Sequence, residues 1–408
     1  MKKYLSIFIG IIAIALAFGW FKIEKLPKIN NQAFSVGAAD SSVTPFNQIE
    51  RGKVTQVKSK DEEQSRRLSR ITETLEVTML TGSIKGQAVE VSYDDTLTNP
   101  KLQEVKVGDI IVVGIIPDPV NGDSYVLIDR YRLPFLGYIA LLFVILAVIF
   151  GRLRGLTSVI GLMVSIGILI LFVTPNILAG KNPILVTLVG AGTIALVSMF
   201  LAHGFNRRTM LAVISTIITL GMAEVLGYFF IIGAKLIGNG SEESFFLQAG
   251  YFGAINLQGL LLGGIIIGTL GILNDITTAQ SATVEELHDA NKQLTFRHLY
   301  LKGSSVGREH IASLINTLVL VYVGSSLPLF LLFTINSKQL WTVLNSSTLA
   351  EEIVRTLVGS IALILAVPLS TALAAYYFTN EKPSPPKAAK DTDDYWEQAT
   401  KIPQKDSI

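Results

Sequence analysis

The sequence predicts an α-helical polytopic membrane protein of about eight transmembrane helices, with one small extracytoplasmic all-β, OB-like domain. Three observations predict it. Half of the 408 residues are hydrophobic and only 16% are charged, and the mean hydropathy of +0.49 is high for a soluble chain of this length. From residue 134 onward, apolar runs recur at close to the roughly 20 residues that a bilayer requires. Between the first apolar run and the others lies a stretch of short alternating segments, the pattern of strands.

Composition narrows the chemistry. The net charge of +2 gives no reason to expect a nucleic-acid partner. The chain has no cysteine, which excludes disulfides, thiolate metal sites and thiol catalysis. No cofactor is expected.

Residues 1–21 read as an N-terminal transmembrane anchor, with Lys2 and Lys3 before an apolar run from Leu5 to Phe21. A cleaved signal peptide with Ala15-Leu16-Ala17 at its cleavage site is the other reading. Continuation through Phe18, Trp20 and Phe21 favours the uncleaved form. Residues 22–46 read as a linker. Residues 47–132 alternate at Leu75, Val77 and Met79, at Val89 and Val91, and at Ile111, Val113 and Ile115. Turn residues separate them at Thr81-Gly82-Ser83, Asn99-Pro100 and Asn121-Gly122-Asp123, and Val107-Gly108-Asp109-Ile110 reads as a tight turn feeding a strand. About five short strands suit a small barrel; a generic sandwich fits the same pattern. Residues 133–379 read as a seven-helix bundle, with apolar runs at about 135–150, 156–174, 183–202, 210–236, 257–280, 311–333 and 356–378. Residues 380–408, with Pro383, Pro385, Pro386 and mixed charges, read as a disordered cytoplasmic tail.

Loop charge sets the orientation. With the N-terminus inside, the inner segments hold Lys2, Lys3, Arg152, Arg154, Arg207, Arg208, Lys292, Arg297, Lys302 and Arg308. The outer short loops hold Lys181, Lys235 and Lys338. Ten against three places both termini in the cytoplasm and the β domain outside a bacterial cytoplasmic membrane.

Two carboxylates fall within apolar runs. On a helix over 259–282, Gly264, Gly268, Gly271, Asp275, Thr278 and Ala282 form one stripe. Small residues in such a stripe let a second backbone approach, so Asp275 is expected on a packed face. It lies roughly 24 Å along the helix from Gly259, within a hydrocarbon core of about 30 Å. A lone ionised carboxylate there costs a few kcal/mol and needs a partner, water or a proton. Asn316 and Thr317, in the next span, reach a similar depth. The blander alternative is that Asp275 marks the water boundary or caps a cytoplasmic helix starting near Ser281. Glu224, in "GMAEVLGYFF", falls near mid-bilayer, as a proton or ion site or as a structural hydrogen-bonding group. Val284, Leu287 and Leu294 suggest a helix lying along the inner membrane surface. Pro328 and Pro368 are expected to kink their spans, with Ser370 and Thr371 beside the second. The four histidines, at 203, 288, 298 and 310, fall on the cytoplasmic side without metal-ligand spacing. No P-loop or nucleophile motif appears.

The stretches "GILNDITTAQSATVEELHDAN" (271–291), "VGREHIASLINTLVLVYVGSSLPLFLLF" (306–333) and "GSIALILAVPLSTALAA" (359–375) resemble the YibE/F-like family of bacterial membrane proteins. The resemblance extends over most of the chain, outer domain included. Many members carry two adjacent acidic residues where this chain has Asn274-Asp275, and many carry Asp where it has Glu309, within Arg308-Glu309-His310. The family brings no established activity. A more distant similarity is to the second half of the RND and SecD/SecF transmembrane bundles, whose count of spans differs and whose outer domain is far larger. It implies Asp275 as proton carrier, with Asn274, Asn316 and Thr317 near it.

The expected function is therefore transport, with proton coupling through Asp275 and Glu224 as its candidate mechanism. The expected partners are the lipid bilayer and an unknown solute or envelope component. The second expectation is a non-transporting scaffold whose outer β domain binds a partner. An enzyme comes third, for want of a catalytic constellation.

Overall fold

The alternating segments form strands because each presents apolar side chains at every second position to one shared interior. The computed structural model describes residues 48–64, 69–97, 105–117, 122–241, 243–244, 247, 255–335 and 339–380. The predicted anchor (1–21) and linker (22–46), nearly all of the tail, the Asn99-Pro100 turn and Asn121 lie outside them.

The strands are β1 Gln48–Gln64, β2 Ser69–Met79, β3 Ala88–Leu97, β4 Ile110–Ile116 and β5 Ser124–Arg130. They close a barrel in the order β1-β2-β3-β5-β4. Every pairing is antiparallel except that of β3 with β5, which is parallel. Two irregularities in β1, between Val54 and Gln56 and between Val57 and Ser59, let one long strand bend and pair with both β2 and β4. Val54, Leu75, Val77, Met79, Val91, Val105, Ile111 and Val113 fill the interior. Gly108, at φ 99°, makes the predicted turn before β4, and its N–H donates to the Val54 carbonyl at 2.8 Å.

The helices are α1 Leu133–Ile168, a π-helical segment Leu169–Val173, α2 Thr174–Leu178, α3 Pro183–His203, α4 Arg207–Gly233, α5 Leu257–Ala290, α6 Phe296–Ser325, α7 Leu327–Ile335, α8 Leu340–Leu344 and α9 Ser347–Asn380. Asn182, Asn206 and Asn256 start α3, α4 and α5, each accepting a backbone N–H from the first turn. Among the described residues five helical stretches are long and apolar enough to cross a membrane: Leu133–Leu178, Pro183–His203, Arg207–Gly233, Leu257–Ala290 and Ser347–Asn380. None of the most apolar stretch of the first is buried in protein, as suits a hydrocarbon surrounding.

That first stretch breaks at Arg152, whose φ of 51° and ψ of −137° are not helical. A Cβ on Gly155 would run into the carbonyl of Ala147. Eight residues of unbroken helix would hold those positions about 12 Å apart, so the chain bends back sharply between the predicted runs at 135–150 and 156–174.

α4, α5 and α9 share the centre of the bundle, with Leu220, Ala223, Leu262, Ile266, Leu273, Val358, Ala362 and Ala366 in one buried cluster. Glycines set the close approaches. Gly227 lies against Leu262 and Val358, Gly263 against Thr187, and Gly307 against Val367 and Gln280.

Three expectations are corrected. No separate surface helix begins near Ser281, because α5 runs unbroken to Ala290 and Val284 is buried with Leu211, Leu299, Ala374, Ala375 and Phe378. Its apolar stripe faces protein. Asp275 therefore caps nothing. The run at 311–333 is not one helix: α6 ends at Ser325 and α7 starts at Leu327, since Pro328 offers no N–H to continue the ladder. Pro368, by contrast, stays inside α9; Ser370 donates to the Ala366 carbonyl and Thr371 to that of Val367.

Candidate functional site

α5 has one packed face and one open face. Gly263, Ile266, Leu270, Leu273, Thr277, Gln280, Ser281 and Val284 are buried. Gly264, Gly268, Gly271 and Asp275 are exposed. The glycine stripe expected to be the packing seam is thus the open side. A Cβ on Gly264 or Gly271 would meet nothing within 4 Å, and one on Gly268 would meet only the Tyr322 hydroxyl, at 3.2 Å. The reason is apolar area. The sequence offers adjacent glycines, 263 and 264, about 100° apart around the axis. Burying Ile266, Leu270 and Leu273 selects the face of Gly263, whose missing side chain admits Thr187 of α3. Thr278 sits half-buried at the edge of the open face, its Oγ1 without a partner.

Asp275 stands toward the C-terminal end of that face. It interacts electrostatically with His203, the last residue of α3, which also feels Arg208 and Arg154. The neighbouring Asn274 donates to Ser198 Oγ at 3.5 Å, and its Oδ1 has no partner. On the packed side, Thr277 and Thr216 share a hydrogen bond of 2.8 Å. Gln280 Nε2 donates to the Gly303 carbonyl and to Thr371 Oγ1, each at 2.7 Å. Gln280 Oε1, Ser281 Oγ, Ser304 Oγ and His310 Nδ1 have no partner.

Toward the N-terminal end of α5, Tyr322 of α6 leans over Gly268 and interacts electrostatically with Arg355 and Glu352 of α9. Those two form a half-buried ion pair of 3.0 Å, with Glu352 Oε2 and Arg355 Nε left unpartnered. A groove of about 200 Å³ between α6 and α9 includes Tyr322, Phe330 and Glu352 in its walls. The contact of Gly359 with Thr269 fixes the depth of α9 beside α5. Glu352 then lies about 10 Å from the level of Thr269 toward the N-terminal end of α5, and Asp275 about 9 Å toward its C-terminal end. Polar groups thus follow one side of α5 over about 20 Å of a core of about 30 Å.

Several predicted residues do not join this line. Asn316 and Thr317 are exposed; Thr317 bonds back to the Ser313 carbonyl. Among the described residues no hydrogen bond or ion pair joins either to Asp275. Equal depth gave a level but not a direction around the helix. Glu224 is half-buried on α4, near the level of Gly268, because Thr216 pairs with Thr277 and Gly227 meets Leu262; no contact links it to Asp275. Arg308 and Glu309 are exposed and His310 is half-buried. Among the described residues no group of three His, Asp or Glu side chains is placed to hold a metal.

Sequence reading missed His203, Tyr322 and the Glu352–Arg355 pair. The i,i+3 spacing of the last was a visible signal. His203 carried none, since its relation to Asp275 depends on how α3 packs beside α5.

Long apolar helices around a polar face define a helical membrane protein. Residues 139–380 match the YibE/F-like protein family, and the chain belongs to that family. The match covers the helical part and leaves the β-barrel outside it. Neither the curated proteins nor the solved structures contain a match to this chain.

Proposed function

We propose that the protein is a membrane transporter, proton-coupled through Asp275. The observation that carries this reading is the position of Asp275: it lies on the open, glycine-lined face of the central helix, within electrostatic reach of His203. A carboxylate at membrane depth is retained at a cost, and function is the commonest reason. Glycines keep the face free of side chains between Tyr322 and Asp275, leaving room for a hydrated file or a solute. An imidazole and a carboxylate along one hydrated file can hand on a proton. Glu224, at another azimuth, is a second carboxylate of the pathway.

In this reading the chain has eight spans, counting residues 1–21, the two halves of the stretch broken at Arg152, and the run divided at Ser326. Both termini are cytoplasmic, in a bacterial cytoplasmic membrane. The barrel stands outside and receives or gates the solute. The five-strand closed order with one parallel closure supports an OB-like barrel.

The test is modification by a hydrophobic carbodiimide, which reacts with a protonated carboxyl in an apolar site. Purified protein is labelled between about pH 5 and about pH 9 and mapped by mass spectrometry. The expected result is an adduct on Asp275 that fades at the alkaline end and disappears in Asp275→Asn. An unlabelled Asp275 in protein with a normal melting curve overturns the proton-carrier role, and attention passes to the barrel as a binding scaffold.

A further inference from the structure

At the foot of the barrel, where β5 runs into α1, there is a cavity of about 560 Å³. Its walls combine two chemistries. Arg51, Arg130, Tyr131 and Arg132 bring cationic and hydroxyl groups, whereas Ile49, Leu133 and Leu136 are apolar. Glu50 and Asp129 also line it, so the cavity carries three guanidiniums against two carboxylates. The guanidiniums are placed by structure. Arg51 Nη1 donates to the Tyr131 hydroxyl at 3.0 Å, and its guanidinium carbon lies 5.0 Å from the centre of that ring. Arg132 Nη1 meets Asp129 Oδ2 at 2.6 Å. The Arg51 backbone is held by Thr81, whose Oγ1 accepts its N–H at 2.8 Å.

The apolar wall is unusual for a site that binds only an anion. Leu133 is 63% exposed, Leu136 54% and Ile49 61%. Leu133 and Leu136 begin the helix whose apolar surface faces hydrocarbon. Guanidiniums at the level where such a helix leaves water match the boundary between headgroups and acyl chains, and arginine forks fit phosphate oxygens.

We propose that this cavity binds the phosphate of an anionic phospholipid, with Arg51 and Arg132 on the phosphate and Leu133 and Leu136 along the upper acyl chains. The ligand chemistry is a phosphate group; the apolar wall assigns it to a lipid headgroup rather than to free phosphate. Asp129 limits the affinity by occupying Arg132. Bound lipid would fix the barrel against the bundle at one height.

The test uses full-length protein in neutral detergent and measures phosphatidylglycerol retained by native mass spectrometry, with phosphatidylcholine and inorganic phosphate as comparison probes. Wild type is expected to retain phosphatidylglycerol over phosphatidylcholine. Arg51→Gln with Arg132→Gln is expected to weaken retention by roughly tenfold or more. Asp129→Asn, which frees Arg132, is expected to strengthen it several-fold; this opposite sign cannot come from misfolding. Equal retention by wild type and the double arginine variant, or no preference over phosphatidylcholine, overturns the proposal. Displacement of the lipid by inorganic phosphate at equal concentration overturns the assignment to lipid.

Discussion

Gln280 shows how much one side chain can hold in a membrane bundle. Its Nε2 serves two acceptors on two other helices, the Gly303 carbonyl of α6 and Thr371 of α9. Truncation would take one hydrogen bond from each in a place without water. Gln280→Ala is therefore expected to cost about 1–3 kcal/mol, read as a lower melting temperature in detergent; an unchanged melting curve would show that the acceptors find other donors. Asp129 gives a milder case at the surface. The hydrogen bond from Arg132 holds its carboxyl below the ordinary range, against a smaller upward push from burial. A lowered folded-state pKa adds stability that is fully present above the ordinary value of 3.8 and is lost as pH falls through the folded one. Both side chains are more than half exposed, so the pair contributes at most about 1 kcal/mol. The melting temperatures of wild type and Asp129→Asn should differ slightly at neutral pH and converge as pH falls through the lowered folded-state value of Asp129.

Glycine positions test the orientation of α5. A Cβ on Gly263 would meet the Thr187 side chain at 2.6 Å, and one on Gly307 would meet Val367 and Gln280. Gly264 and Gly271 meet nothing. Alanine at 264 or 271 should keep or raise the melting temperature, because it is the better helix former by about 1 kcal/mol. Alanine at 263 or 307 should lower it. If 264 and 271 prove as intolerant as 263 and 307, the open face is wrongly assigned. The existence of these helices was legible from hydropathy, and their small-residue stripes from spacing. Which stripe packs was not, because 263 and 264 are both glycine and the choice rests on how much apolar area each rotation buries. The same limit applied to Asn316 and Thr317: their depth could be read, their direction could not. The barrel was more legible, since Leu75, Val77 and Met79 have only one inward side.

At the scale of the whole molecule, sidedness is open to a direct check, because the chain has no cysteine of its own. Single cysteines at exposed Ser59 on β1 and exposed Ser305 on α6 should react with an impermeant maleimide from opposite faces of intact cells, Ser59 from outside. Labelling of both from one side would undo the topology drawn from the arginine and lysine loops. The Asp275–His203 relation belongs to this scale too, since it joins two helices through the packing of the whole bundle.

α5 is also longer than a bilayer is thick. Its 34 residues without a break span about 51 Å, some 20 Å more than the hydrocarbon core. Its C-terminal end is gripped by Arg208 on Glu285, at 3.6 Å, and by Phe378 stacked on His288. With no hinge between Asp275 and His288, the helix works as a stiff axle. A few degrees of rotation imposed on its last two turns turn the carboxylate by the same few degrees, so whatever holds those turns steers the face of Asp275 without touching it.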